Sequence, residues 1–174
     1  MRFPGKNEKE QKVEQTVLEE YNRYYRLAYS YVHSEADAAD IVQEGACRAI
    51  LRSESLVQEE YVKTWVYRIM LNEIFRFLKQ HTYAAGGEVP LEMATEACIV
   101  EDHYEEIDLM RALDAMEPED KAVIELRYFE DMKLSEIAEI LDENINTVKS
   151  RLYRGLKKLK LELADEWSRV DHAD

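Results

Sequence analysis

Apolar residues recur every three or four positions over most of the chain, the period of an amphipathic helix with one buried stripe. From about Glu8 to His33 those positions are Val13, Val17, Leu18, Tyr21, Tyr24, Tyr25, Ala28, Tyr29 and Val32. Ser34, followed three residues later by Asp37, has the form of a helix N-cap with an acid in the first turn. It predicts a second helix through Ala38, Ile41, Val42, Ala46, Ala49 and Ile50 that ends near Arg52. The stretch Ser53 to Glu59 is polar and weakly periodic, and a third helix is expected from about Glu60 to Gln80 through Val62, Trp65, Val66, Ile69 and Phe77. Residues 8–80 therefore read as one three-helix domain.

The pattern then stops. Gly86, Gly87 and Pro90 terminate any helix, and no sustained period follows. Between Glu88 and Asp120 there are twelve acidic residues and one basic residue, Arg111, a like-charge density that favours a solvated, extended connector. A flexible acidic linker is expected over residues 81–105. Periodicity resumes at Ile107, Leu109, Met110, Leu113 and Met116, and Pro118 stands where a first-turn proline opens a helix through Val123, Ile124, Leu126 and Phe129.

Beyond it, Leu134, Ile137, Ala138 and Leu141 predict a short helix capped by Ser135 or its neighbour. Asp142, Glu143 and Asn144 predict a turn, and Val148, Leu152, Leu156, Leu159 and Leu163 form the stripe of a longer helix. This is helix-turn-helix spacing. On a helical wheel Thr147, Ser150, Arg151, Arg154, Lys157 and Lys158 fall opposite that stripe, with Lys149 at its flank. The chain is thus expected to be all-α: two small helical domains joined by the linker, the second, over 106–165, containing a helix-turn-helix.

Charge sharpens this picture. The 174 residues carry a formal charge of -14, yet between Asn144 and Lys160 there are six basic residues and no acid. A local basic face on the second helix of such a motif gains affinity for phosphates by counterion release, which an evenly acidic surface cannot do. That helix is expected to enter a DNA major groove. Lys157, Lys158 and Lys160 can equally complement the negative end of the helix dipole, and Thr147 can equally be a first-turn cap.

Composition closes other routes. At 46% apolar and 10% aromatic residues the chain can bury a core, and no window approaches the run of about 18 apolar residues that a membrane span requires. The N-terminal basic residues are not followed by an apolar stretch, so a secretory leader is not expected and the expected location is cytoplasmic. Cys47 and Cys98 lack CxxC or Cys/His spacing and read as small apolar fillers. His33, His81, His103 and His172 are scattered and there is no Gly-rich phosphate loop, so no metal, cofactor, small-molecule substrate or catalytic residue is expected. Asp102, His103 and Glu105 are more economically an exposed charge run than a cation site.

The stretches ADAADIVQEGACRAIL, WVYRIMLNEIFRFLKQ and LMRALDAMEPEDKAVIELRYFEDMKLSEIAEILDENINTVKSRLYRGLKKL, in that order, resemble the extracytoplasmic-function (ECF) class of bacterial RNA polymerase sigma factors. The resemblance covers about Val13 to Leu163. It implies a sigma region 2 domain and a region 4 domain joined by a flexible linker, and a subunit that gives core RNA polymerase its promoter specificity, in this class commonly for stress or envelope responses. It implies that Asp37, Asp40, Gln43 and Glu44, with Arg48 on the same helical face, dock on a coiled coil of the polymerase's largest subunit. Trp65, Val66, Ile69 and Asn72 match the helix that lies along the minus-10 promoter element. Trp65 is expected in the core, and Arg68, Asn72, Arg76 and Lys79 are expected to contact the non-template strand.

Arg76 departs from the class pattern, which usually has an acid there, and this favours phosphate contact over base reading. The segment Arg52 to Tyr61 matches the loop that captures a flipped base in the class. Thr147, Lys149, Ser150, Arg151, Arg154, Lys157 and Lys158 are then the candidates for reading minus-35 DNA. An anti-sigma factor, often membrane-anchored, is the further partner that the resemblance implies. Two other classes compete with this reading. A stand-alone helix-turn-helix regulator binding duplex DNA without polymerase would need a dimerising element or a receiver domain, and the N-terminal half shows no alternating strands and helices for a receiver; a nucleotide or metal enzyme would need a phosphate loop or clustered ligands, which the residues do not supply.

Overall fold

The computed structural model describes residues 7–84 and 104–170, with side chains over 7–82 and 108–164. Among the described residues there are seven α-helices, two short 3-10 turns and no strand. The chain divides into two units, the first carrying α1 (Glu8–Val32), α2 (Glu35–Leu51) and α3 (Val62–Ala84), and the second carrying α4 (Tyr104–Asp114), α5 (Pro118–Tyr128), α6 (Leu134–Leu141) and α7 (Ile145–Val170).

In the first unit each helix packs on the other two. His33 ends α1 in the left-handed region at φ 51°, its N–H donating to Tyr29 O at 2.9 Å. Ser34 then caps α2, as its spacing predicts, with its Oγ accepting from the Asp37 N–H at 3.3 Å. So short a turn forces α1 and α2 to be antiparallel neighbours. The core is built from Val13, Val17, Tyr24, Leu27 and Ala28 of α1, Ala38, Ile41, Val42 and Ala49 of α2, and Val66, Tyr67, Met70, Leu71 and Ile74 of α3. The Tyr24 and Tyr67 rings meet edge to face, centroids 4.9 Å apart. Gly45 lets α2 and α3 close on each other, because a Cβ there would lie 2.5 Å from Met70 Sδ.

Three departures from the sequence pattern are informative. Leu18 is 77% exposed, and Tyr21 and Tyr29 are exposed as well, although all three belong to the expected stripe. On the wheel Val13, Val17, Tyr24 and Ala28 share an arc of about 60°, while Leu18 and Tyr29 lie about 140° or more from Val13. Two partner helices cover the first arc and not the second. The polar stretch after α2 folds as two 3-10 turns, Ser53–Ser55 and Glu59–Tyr61, between which Leu56 is buried. Finally, α3 runs past Gln80 to Ala84, the Thr82 hydroxyl donating to Leu78 O at 2.9 Å.

In the second unit Pro118 opens α5, as its position predicts. Ala112, Leu113, Met116, Ile124 and Leu159 form a buried cluster flanked by Leu109, Leu152 and Leu156. Gly155 allows α5 and α7 to approach, a Cβ there lying 3.2 Å from Ile124 Cδ1. The cap of α6 is not Ser135. Its first turn is closed by Glu136, whose Oε2 accepts the Lys133 N–H at 2.8 Å, and Ser135 is exposed. Asn144 caps α7, its Oδ1 accepting the Asn146 N–H at 2.8 Å, which relieves Thr147 of that role.

The last part of the acidic run is folded, in keeping with the periodicity that resumes at Ile107 and the helix that opens at Pro118. Asp108–Asp114 lies in α4 and Glu119 and Asp120 in α5, so the end of that run belongs to a folded unit and not to a connector. Asp114 takes an ion pair at 2.7 Å from the buried Lys121, and Asp120 is itself only 5% exposed. Residues 85–103, the bulk of the expected linker and including Cys98, lie outside the described residues, as do the side chains of the Asp102, His103 and Glu105 group.

Candidate polymerase and nucleic-acid interfaces

On α2 the structure exposes Asp40, Gln43 and Glu44 together, with Asp37 half-buried at the edge of the same face. Their steps of three and four residues place carboxylates and an amide side by side. Two further residues share the face: Cys47 and Leu51, both exposed. The reading of Cys47 as an apolar filler is therefore wrong, since its side of the helix turns away from α1 and α3. Sequence reasoning also missed Leu51, seven residues on from Glu44, although the wheel brings it there.

Arg48 behaves differently from its neighbours. It is half-buried and its Nε reaches Glu44 Oε1 at 3.0 Å and Glu73 Oε1 of α3 at 2.8 Å. Glu73, 6% exposed, also accepts from Arg76 Nη2 through its other oxygen. A buried acid thus joins the arginine of one candidate interface to an arginine of the other. Arg68, Asn72, Arg76 and Lys79 are all exposed along α3 at steps of three and four, the arrangement needed to follow a strand backbone. Trp65 is half-buried among them.

In the second unit Thr147, Lys149, Ser150, Arg154 and Lys157 are exposed on α7. Tyr153, 72% exposed, lies on the same side and was missed, though its wheel position between Lys149 and Lys157 marks it. Two of the expected outward residues are not outward. Lys158 is half-buried and donates to Ala115 O at the end of α4. Arg151 is 21% exposed against 60% for Arg154.

The cause is a four-residue cluster. Arg151 Nε and Nη2 donate to Glu143 at 2.8 and 2.7 Å, and its Nη1 donates to Asp120 Oδ1 at 2.8 Å. Arg154 Nε and Nη2 grip the two oxygens of Asp120 at 2.6 and 2.7 Å. The hydrogen bonds from Arg154 and then Arg151 hold the Asp120 carboxyl below the usual carboxylate range, outweighing the opposite effect of its burial. Glu143 raises the Arg151 guanidinium above its ordinary value, and Asp120 does the same for Arg154. All three groups are locked in their charged forms.

Among the described residues there is no group of three or more His, Cys, Asp or Glu able to hold a metal ion, and no helix is long and apolar enough to cross a membrane. What the two units present is a carboxylate-bearing helix, a basic helix and a helix-turn-helix with a basic outer face, the equipment of a DNA-binding protein with a protein partner.

Comparison with known proteins agrees. Residues 16–83 match sigma-70 region 2, and residues 106–159 match sigma-70, region 4. The chain is 44% identical over 144 residues to the RNA polymerase sigma factor SigV of Bacillus subtilis (strain 168), covering 82% of this chain and 86% of that protein. It is 28% identical over 158 residues to the ECF RNA polymerase sigma factor SigW of the same organism, 83% of this chain and 84% of that one. The fold matches the sigma factor RpoE, solved in complex with the anti-sigma factor NepR from Bartonella quintana, at a TM-score of 0.72 and 21% identity over 86% of this chain and 95% of that chain. CnrH, solved in complex with the cytosolic domain of CnrY, matches at a TM-score of 0.63 and 20% identity, covering 88% of each. The class is that of transcription initiation factors carrying sigma-70 regions 2 and 4. Within it the chain belongs to the ECF sigma factors, which bind core RNA polymerase and direct promoter-specific initiation.

Proposed function

We propose that the two units divide the work of initiation at the residues described above. Asp37, Asp40, Gln43 and Glu44 dock α2 on a basic surface of core polymerase, and Arg68, Asn72, Arg76 and Lys79 carry the minus-10 strand along α3. Thr147, Lys149, Ser150, Arg154 and Lys157 present α7 to the major groove of the minus-35 element. The domains act over residues 8–80 and 106–165, with 81–105 as the link between them. The observation that carries this reading is the exposed face of α7, free of acids from Asn144 to Lys160 in a chain of charge -14. Such a face gains phosphate affinity that the rest of the surface forfeits.

The protein works in the cytoplasm, where its polymerase is, and an anti-sigma factor holds it inactive, as the complexes solved for RpoE with NepR and CnrH with CnrY suggest by analogy of fold. In vitro transcription with bacterial core polymerase and genomic fragments tests the assignment directly. Specific transcripts are expected only when this chain is added, each preceded by shared minus-35 and minus-10 sequences. Transcripts that do not depend on the chain, or duplex binding as tight without polymerase as with it, would instead point to a self-sufficient regulator.

A further inference from the structure

The arginines of α7 differ in which of their hydrogen-bonding edges are free. A guanidinium has a side edge, Nε with Nη2, and an end edge, Nη1 with Nη2, each able to grip two acceptors. For Arg151 the side edge is taken by Glu143 and Nη1 of the end edge by Asp120. For Arg154 the side edge is taken by Asp120, and its side chain remains mostly exposed. The end edge therefore points away from the carboxylate. A guanidinium held along one edge by a buried acid is fixed in its plane, and a fixed plane is what bidentate contact with guanine O6 and N7 requires.

We propose that Asp120, a residue of α5 outside the helix-turn-helix, is the positioning residue that orients Arg154 to read a guanine in the minus-35 element. Arg151 serves as the strut that keeps Asp120 in place and does not itself touch DNA. This rests on the reading that α7 enters the major groove. Three features support it. Asp120 is buried, so the packing of α5 sets its location and DNA does not. Both of its oxygens accept from the two arginines, three hydrogen bonds in all, so two guanidinium charges offset its own on the face turned to DNA. Glu143, in the turn between α6 and α7, holds Arg151 from the other side, so the carboxylate cannot swing with it.

The test uses holoenzyme assembled from the full chain and core polymerase, titrated with promoters changed at single minus-35 positions over several salt concentrations. Arg154→Ala is expected to abolish preference at one guanine, a fall in discrimination of about tenfold. Asp120→Asn, which keeps the side chain's shape, is expected to lose most of that same preference while the salt slope holds, because Arg154 keeps its charge. In an Arg154→Ala background Asp120→Asn is expected to cost no further discrimination. Asp120→Glu serves if the amide variant loses its helical signal. It retains the charge while advancing the carboxylate by one methylene, and it should show the same selective loss.

A purely structural Asp120 would weaken all promoters alike, or act equally with and without Arg154, and either result overturns the proposal. So does full discrimination in the Asp120 variants where Arg154→Ala has lost it, or an Arg154→Ala variant that behaves as the parent while Lys149→Ala does not. If Arg154, Lys149 and Ser150 can all be changed to Ala without effect at minus-35, the groove reading itself falls.

Discussion

Each unit of the molecule buries one acid between two arginines, and the two arrangements differ in what they connect. In the first, Glu73 lies between Arg48 of α2 and Arg76 of its own helix, and Glu44 shares Arg48, so the chain of charges runs from the candidate polymerase face to the candidate strand-binding face. In the second, Asp120 of α5 takes both its partners from α7, one turn apart, and the cluster ends within a single surface. The first joins two faces, and the second organises one. Neither is chiefly a source of stability, since ion pairs repay their desolvation only when every donor and acceptor is satisfied. Their role is to fix which arginines remain available.

That contrast can be broken most sharply at the open end of the first cluster. Replacing Asp40 and Glu44 with Lys reverses the charge of the α2 face and places like charges against a basic partner, which is expected to weaken core polymerase binding by roughly 100-fold. Far-UV circular dichroism should be unchanged, because neither side chain lies in the core. Binding as tight as the parent's would remove α2 from the polymerase interface.

A smaller effect separates the two buried acids. Asp120→Ala leaves Arg151 held by Glu143 alone and takes from Arg154 its carboxylate partner beside a like charge, and is expected to cost about 2 kcal/mol in urea denaturation of the full chain. Glu73→Ala leaves Arg48 and Arg76 both within reach of Glu44, at 3.0 and 3.9 Å, and is expected to cost about 1 kcal/mol. Equal losses would mean that the two clusters are energetically alike.

Acid provides a third comparison. The folded Asp120 carboxyl titrates below its unfolded value, so the unfolded chain binds more protons between the two and stability rises with pH there. The contribution is complete above the ordinary aspartate value of about 4 and disappears as pH falls through the depressed one. The parent is therefore expected to lose stability more steeply below about pH 4 than Asp120→Asn does. Parallel acid unfolding curves would show that the α7 cluster does not govern this range.

The smallest expected effect lies at the rim of α7. Lys157→Ala should weaken all promoters alike and flatten the salt slope of holoenzyme binding by about one unit. Lys158→Ala, whose ammonium is already committed to Ala115 O, should change that slope less.

Much of this architecture is legible in the residue pattern. The helix ends follow from local chemistry: Ser34 with Asp37, Pro118, and the turn after Leu141 mark boundaries within a residue or two of those observed. The basic stretch after Asn144 marks α7 as the candidate nucleic-acid helix. Where the pattern misleads, the cause is an angle or a distant partner. The stripe on α1 is wider than the two helices that cover it, so Leu18 and Tyr29 stay in water. Cys47 has the composition of a filler but the position of a surface residue. Asp120 reads as one charge among twelve in an acidic run until α5 lays it under α7.

Periodicity reports on residues three or four apart, because a helix repeats at that interval whatever surrounds it. From it the sequence alone determines seven helical segments' worth of amphipathic pattern, the helix-turn-helix and the outward side of α7. It holds no information on partners 31 and 34 residues away, the separations of Arg151 and Arg154 from Asp120. Those pairings exist because Gly155 admits α5 close to α7, which brings the buried carboxylate beneath the two arginines. Which basic residues are held inward and which face solvent was therefore decided by helix packing, since a guanidinium in reach of a buried carboxylate gains more by satisfying it than by remaining in water.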